Sequence, residues 1–198
     1  MFFVVNLFWK AGETMGNIMD YLKWRGDLTF SQDAFNEVDN LLLSYVAYVN
    51  LEGLSVGAGE EQVTLEELSR RFFVLHSEEE LAADKSFTRL APYIVKMMAQ
   101  SNRYRTSIIS NYVNMVNPQL ELQFSAVQLD LSDGSKNFCF RGTDDNIVAW
   151  KEDFNLGLGE VPAQKLASEY LNRFGVGTSP IRVSGHSKGG NLAVYAAA

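Results

Sequence analysis

Between a short apolar run at Ile181 to Ser184 and an Ala-rich run from Leu192 to Ala198 stands Gly185-His186-Ser187-Lys188-Gly189. The first run reads as a buried strand and the second as the start of a helix. Glycine two residues either side of Ser187 is the nucleophile-elbow pattern. A serine on a sharp strand-to-helix turn has a strained backbone, and a Cβ at either flanking position would drive strand and helix into each other. Such a turn pushes the hydroxyl out of the sheet, with the positive end of the helix behind it. The five-residue pattern alone arises by chance in roughly one chain in fifteen of this length. The preceding strand, the following helix and the extra Gly190 narrow it. The competing reading is a glycine-rich β-to-α turn that binds nothing.

A chain of 198 residues is long enough for one domain with a proper core. Its net charge of -7 argues against nucleic acid as the main partner, because phosphate binding needs a basic surface. The small basic groups Arg70-Arg71 and Arg103-Tyr104-Arg105 read as solvated faces. One cysteine, Cys139, excludes an internal disulfide, and with only two histidines a transition-metal site has few ligands. Cys139 sits in an apolar run and reads as a buried small side chain. Met1 to Trp9 is apolar except for Asn6, far too short for a membrane span, and Lys10 follows it rather than preceding it as in a signal peptide. Met15 is an alternative start, but Met15 to Asp20 lacks the Ser or Thr of a myristoylation site. The expectation is a cytoplasmic protein without a transmembrane segment.

The first half reads as mostly helical. Phe35, Val38, Leu41, Leu42 and Tyr45 follow Ser31 at helical spacing, which predicts an amphipathic helix from Gln32 to Val49. Gly53 to Gly59 is a loop. Thr64 with Glu67, and Ser77 with Glu80, are capping boxes that start helices at Leu65 and Glu78. His76 lies just outside the second and reads as a surface or packing residue. Pro92 precedes a helix from Tyr93 to Gln100, whose Met97 and Met98 read as core filler. After Arg105 the period changes. Ser107 to Val113 reads as a strand. Gln123 to Leu131 and Lys136 to Phe140 read as a hairpin turning on Asp133-Gly134, and Ala163 to Phe174 as a helix ended by Gly175 and Gly177. Hairpin, helix, strand, elbow, helix suits a mixed sheet covered by helices. One domain is expected, with residues 1–105 mainly helical and 106–198 carrying the sheet core.

The hairpin's second strand leads into Phe140-Arg141-Gly142-Thr143-Asp144 and then Trp150-Lys151-Glu152-Asp153-Phe154. Acyl transfer by serine needs donors aimed at the oxyanion that develops on the attacked carbonyl, and losing one costs about 3 kcal/mol of transition-state stabilisation. In elbow hydrolases one donor is the N–H of the residue after the serine, here Lys188, and the other comes from a loop after an earlier strand. Gly142-Thr143 fits that loop, with Thr143 offering N–H and hydroxyl. The alternative is a strand-end turn in which Thr143 caps a following helix.

Together these two stretches resemble the class 3 (triacylglycerol) lipases of the α/β-hydrolase superfamily. The resemblance is closer to a bacterial lipase-like family of unknown function, and with that family it extends over nearly the whole chain from about Met15. It implies an α/β-hydrolase-like mixed sheet flanked by helices, with Ser187 as nucleophile and Thr143 and Lys188 lining the oxyanion hole. The implied substrate is an ester or lipid-like small molecule, cleaved through an acyl-enzyme without cofactor or metal. Trp150 and Phe154 read either as core packing or as part of an acyl site or lid.

Two features depart from the lipase pattern. Lys188 replaces the leucine usual in class 3 lipases, and a lysine in a helix's first turn opposes the dipole, costing up to about 1 kcal/mol. It is expected to pair with Glu152 or Asp153, or alternatively to attract an anionic substrate group. The second departure concerns the triad, which runs Ser, then Asp or Glu, then His. The eleven residues after Ser187 contain neither an acid nor a histidine. His186 adjoins the nucleophile on a turn where successive side chains diverge. The expectation is therefore a truncated hydrolase whose C-terminal part, with acid and base, is missing, inactive alone because triad members act as a unit. A non-catalytic binding or scaffold domain that keeps the fold is the competing class.

Overall fold

The computed structural model describes residues 16–120, 122–143 and 159–198. Two early helices start on asparagine. α1 (Ile18–Arg25) is capped by Asn17, and α2 (Glu37–Ser44) by Asn36. Each side-chain carbonyl accepts the N3 N–H while the N3 aspartate, Asp20 or Asp39, accepts the cap's own N–H. These are capping boxes written in Asn and Asp. The helix expected from Gln32 therefore begins later, at Glu37, and tightens into a 3-10 turn over Tyr45–Tyr48. Ser31 is not its cap; its hydroxyl pairs with that of Thr29. α3 (Leu65–Leu75) and α4 (Glu78–Ala83) begin where the Thr64 and Ser77 caps put them. α5 spans Ala91–Ala99 with Pro92 in its first turn, which needs no donor there.

The sheet has five described strands in chain order: β1 (Val63–Thr64), β2 (Ile108–Asn117), β3 (Leu122–Asp130), β4 (Lys136–Phe140) and β5 (Ile181–Gly185). The first four pair antiparallel, and β5 pairs parallel to β4. Between β3 and β4 the Gly134 N–H donates to the Leu131 carbonyl, with Gly134 at φ +81°, a left-handed turn position that favours glycine. α6 (Pro162–Phe174) crosses back between β4 and β5, and α7 (Lys188–Ala197) follows β5.

Burial on β3 shows why helices cover both faces. Leu122, Phe124 and Ala126 join a core with Phe138, Phe140, Tyr170 and Leu192 beneath α6 and α7. Val127 and Leu129, on the opposite face, join Ile109, Cys139 and the helices of the first half. The strand is buried at every position from Leu122 to Leu129, and it carries Gln123, Ser125 and Gln128 inside as buried polar residues. Tyr170 organises the first core. Its ring lies about 6 Å from those of Phe124, Phe138 and Phe140, and its hydroxyl donates to the Asn111 carbonyl at 2.7 Å. The chain is thus a mixed α/β protein, a five-stranded sheet between two helical layers.

One sequence expectation fails instructively. Arg103 and Tyr104 are not a solvated face; both are wholly buried. Arg103 grips Asp39 through Nε (2.7 Å) and Nη2 (2.5 Å), and donates to the carbonyls of Asp33 and Ala34. Tyr104 and Tyr21 donate to the same carboxylate. The cluster ties the start of α2 to the segment after α5, and a buried guanidinium is tolerable because its donors are this well matched.

Cys139 is buried, as read from sequence. Its thiol and the Ser184 hydroxyl share the Asn137 side-chain oxygen, at 3.1 and 2.8 Å. Burial pushes the thiol up to about 12. The native protein should therefore give no reaction with a disulfide reagent at pH 8, and one equivalent once denatured; rapid native reaction would show that this strand opens.

Candidate functional site

Strands β4 and β5 run side by side and end together, with Phe140 opposite Gly185. Two residues on, each chain reaches the same place: Gly142 from one and Ser187 from the other. Ser187 is exposed and sits at φ 57°, ψ -127°, a region few non-glycine residues occupy and which costs about 1–3 kcal/mol. The turn closes behind it as the Gly189 N–H donates to the His186 carbonyl (3.0 Å) and the Gly190 N–H to that of Ser187 (2.9 Å).

The glycines are explained by what a side chain would strike. A Cβ at Gly185 would overlap the Gly189 backbone, and one at Gly189 would overlap the Phe140 carbonyl oxygen. One at Gly142 would overlap the Tyr48 hydroxyl and the His186 carbonyl, and lie 3.3 Å from the Ser187 Cβ. The strand-end loop after β4 is thereby held against the serine by main-chain contact. The strain itself is testable: Ser187→Gly, which relaxes the left-handed φ, should raise stability by about 1 kcal/mol in a denaturant melt. No gain would mean that the turn is relaxed in solution.

Of the residues singled out from sequence, Ser187, Lys188 and Thr143 converge at this one edge. Thr143 is buried, directly after Gly142. Lys188 opens α7 with its side chain buried, and its ammonium donates to the Gln123 carbonyl at 2.8 Å. The carboxylates expected to pair with it, Glu152 and Asp153, lie outside the described residues, as do Trp150 and Phe154. Arg141 fixes the start of the loop: its N–H donates to the Ser125 carbonyl, and its guanidinium to Asn114, which in turn donates to Glu52.

The helical half contributes two residues that sequence reading passed over. The Tyr48 hydroxyl lies 3.0 Å from His186 Nδ1 and 3.3 Å from the His186 carbonyl, so it clasps the turn just before the serine. Asn40 on α2 donates to the Val183 carbonyl and accepts from Asn137, joining α2 to the last two strands. Both lie in a stretch whose apolar spacing announced only a core helix; the signal available was a polar tip at the end of an apolar run. His76 stays in the first half, paired with Glu80 at 3.2 Å and stacked on Phe72.

Among the described residues no group of three or more His, Cys, Asp or Glu side chains is placed to hold a metal ion, and no helix is long and apolar enough to cross a membrane. No curated protein and no solved structure matches the chain. The model of the Mbeg1-like family matches residues 98–198. That span runs from the end of α5 through the four longer strands and the serine turn to the last helix, so the match covers Thr143, Ser187 and Lys188 and leaves out β1, Asn40 and Tyr48. The chain belongs to the Mbeg1-like family.

Proposed function

We propose that this protein is a serine hydrolase of lipase or esterase type, with an α/β-hydrolase fold, cleaving carboxylic esters through an acyl-enzyme on Ser187. The observation that carries this reading is the conformation of Ser187: exposed, left-handed, and held by glycines that tolerate no side chain. A fold maintains such strain at a position where the strain presents a group. In the reaction Ser187 Oγ bonds to the ester carbonyl carbon and the oxygen takes up negative charge. The N–H groups of Thr143 and Lys188 accept that charge, worth about 3 kcal/mol each in comparable sites. As the carbonyl re-forms, the bond to the alkoxide breaks and the alkoxide takes up the proton that the Ser187 hydroxyl gave up; water then adds to the acyl-enzyme, releasing the carboxylic acid and restoring the hydroxyl. No metal or cofactor enters this scheme.

In this reading the chain supplies the nucleophile and the oxyanion donors, and among the described residues neither histidine is hydrogen-bonded to Ser187. Its two histidines are engaged otherwise, His76 with Glu80 and His186 with Tyr48. That observation favours the second reading, a binding or scaffold domain that keeps the architecture without turnover. Alkyl boronic acids separate chemistry from scaffold, because they form a tetrahedral adduct on a presented serine. The boron-11 resonance should move to the tetrahedral range with the wild-type chain and stay trigonal with Ser187→Ala. A trigonal signal in both would refute a reactive serine.

A further inference from the structure

The Gly189 N–H donates to the His186 carbonyl at 3.0 Å, which closes a four-residue turn over 186–189. Ser187, its second residue, has φ 57° and ψ -127°. These are the angles of the first central position of a type II′ turn, where glycine dominates. A serine stays there only if its surroundings hold the peptide planes beside it. The plane between His186 and Ser187 carries the His186 carbonyl. The Tyr48 hydroxyl donates to that carbonyl at 3.3 Å and lies 3.0 Å from His186 Nδ1, so one side chain holds both the main chain and the ring of the residue before the serine. Three residues earlier the Val183 carbonyl accepts from Asn40 at 3.2 Å. Asn40 and Tyr48 belong to one continuous helical piece, α2 and the 3-10 turn that extends it. Two carbonyls on the way to the serine are thus gripped from a single element.

We propose that Tyr48 is a positioning residue for Ser187: its hydroxyl locks the His186–Ser187 peptide and so keeps the serine left-handed beside the Gly142 loop. What the locked serine does rests on the hydrolase reading; the lock does not. For φ of Ser187 to relax to a negative value within the same turn, that peptide must rotate. Rotation swings its carbonyl away from both the Gly189 N–H and the Tyr48 hydroxyl. The turn's own hydrogen bond is modest against strain of this size, so a second holder on the same oxygen decides the balance. Gly142 belongs to the same lock. A Cβ there would overlap the Tyr48 hydroxyl and the His186 carbonyl together, so the β4 loop closes on the serine only past a bare Cα. Tyr48 stands 138 residues before His186, and the lock gives the helical half a task at the serine.

Nuclear magnetic resonance with Tyr48→Phe tests the lock. A residue at positive φ holds its amide proton close to its own Hα, so Ser187 in the wild type should show strong amide-to-Hα cross-relaxation. Tyr48→Phe keeps the ring and drops the hydroxyl, and that signal should weaken as φ relaxes. A double-variant cycle separates a lock from a plain stabilising contact. Glycine at 187 carries no strain. Tyr48→Phe should therefore lower the folding equilibrium constant about five-fold more in the Ser187→Gly background than in the wild type, the lower end of the strain such a residue carries. A plain contact would cost the same in both. Labelling of Ser187 by a fluorophosphonate should fall about a hundred-fold in Tyr48→Phe, as for an ångström of misplacement. A left-handed signal that persists in Tyr48→Phe, equal losses in the two backgrounds, or undiminished labelling would each overturn the proposal. Should Tyr48→Phe fail to fold, the wild type decides: cross-relaxation between the Tyr48 ring and the Gly142 Hα protons supports the lock, and its absence overturns it. Absence of labelling in the wild type would count against the hydrolase reading and leave the resonance signals and the cycle to judge the lock.

Discussion

Asp39→Ala is expected to remove about 3–5 kcal/mol of stability, because it strands a wholly buried guanidinium. Arg103 has no exposed surface, and Asp39 supplies both oxygens of its bidentate pair. The same carboxylate accepts from Tyr21 and Tyr104 and closes the capping box of α2, so one substitution unmakes contacts on three segments. Against the 5–15 kcal/mol of a typical domain this is a large share, and the melting temperature should drop by about 10 °C or more. The double variant Asp39→Ala with Arg103→Met should recover part of the loss, since it removes the unpaired charge as well. A single-variant loss below about 1 kcal/mol would mean that water reaches the cluster and that α2 is held by its apolar face alone.

The second large effect belongs to Gly189→Ala. The added methyl would overlap the Phe140 carbonyl oxygen and stand 2.9 Å from two further backbone atoms, Arg141 C and Gly142 N. None of these can rotate aside as a side chain can, so either α7 or the β4 loop must shift. About 3 kcal/mol or more is expected, at the upper end of overpacking, together with loss of any Ser187 reactivity. Gly190→Ala is the matched control. Its nearest neighbour is the Gly185 carbonyl oxygen at 3.2 Å, a contact that yields with a small adjustment. If thermal melts show the two variants equally stable, the close packing of helix on strand end is not a feature of the protein in solution.

These two sites differ in how far the sequence foretold them. The elbow was legible because its chemistry is local: two glycines, a serine, an apolar strand and an Ala-rich helix within eighteen positions. The hairpin at Asp133-Gly134 and the caps at Thr64 and Ser77 were legible for the same reason, each being a contact across three or four residues. Arg103 with Asp39 joins residues 64 apart. Neither neighbourhood carries a sign of the other, and two arginines flanking a tyrosine read as surface. Tyr48 and His186 are 138 apart, and Asn40 and Val183 are 143 apart. No period or motif encodes such pairs; the topology that lays α2 over β4 and β5 creates them. The late start of α2 is a milder case. Asn36 with Asp39 is a capping box in less familiar residues, and Ser31 competed for the role on composition alone.

Lys188 falls between these cases. Its misfit with the helix end was visible in the sequence and pointed to a partner, Glu152 or Asp153, or to an anionic substrate group. Its bond to the Gln123 carbonyl was not visible, because Gln123 lies on a strand two steps away in the sheet and any residue would present the same main-chain oxygen.

The account depends most on Ser187 being a nucleophile presented to main-chain donors. Prolonged incubation with a fluorophosphonate, followed by peptide mass spectrometry, tests that with one measurement and needs no known substrate. The account predicts a phosphonate adduct on Ser187 and an unmodified chain in Ser187→Ala. An unmodified wild-type protein, or equal modification of the Ser187→Ala variant, would contradict it.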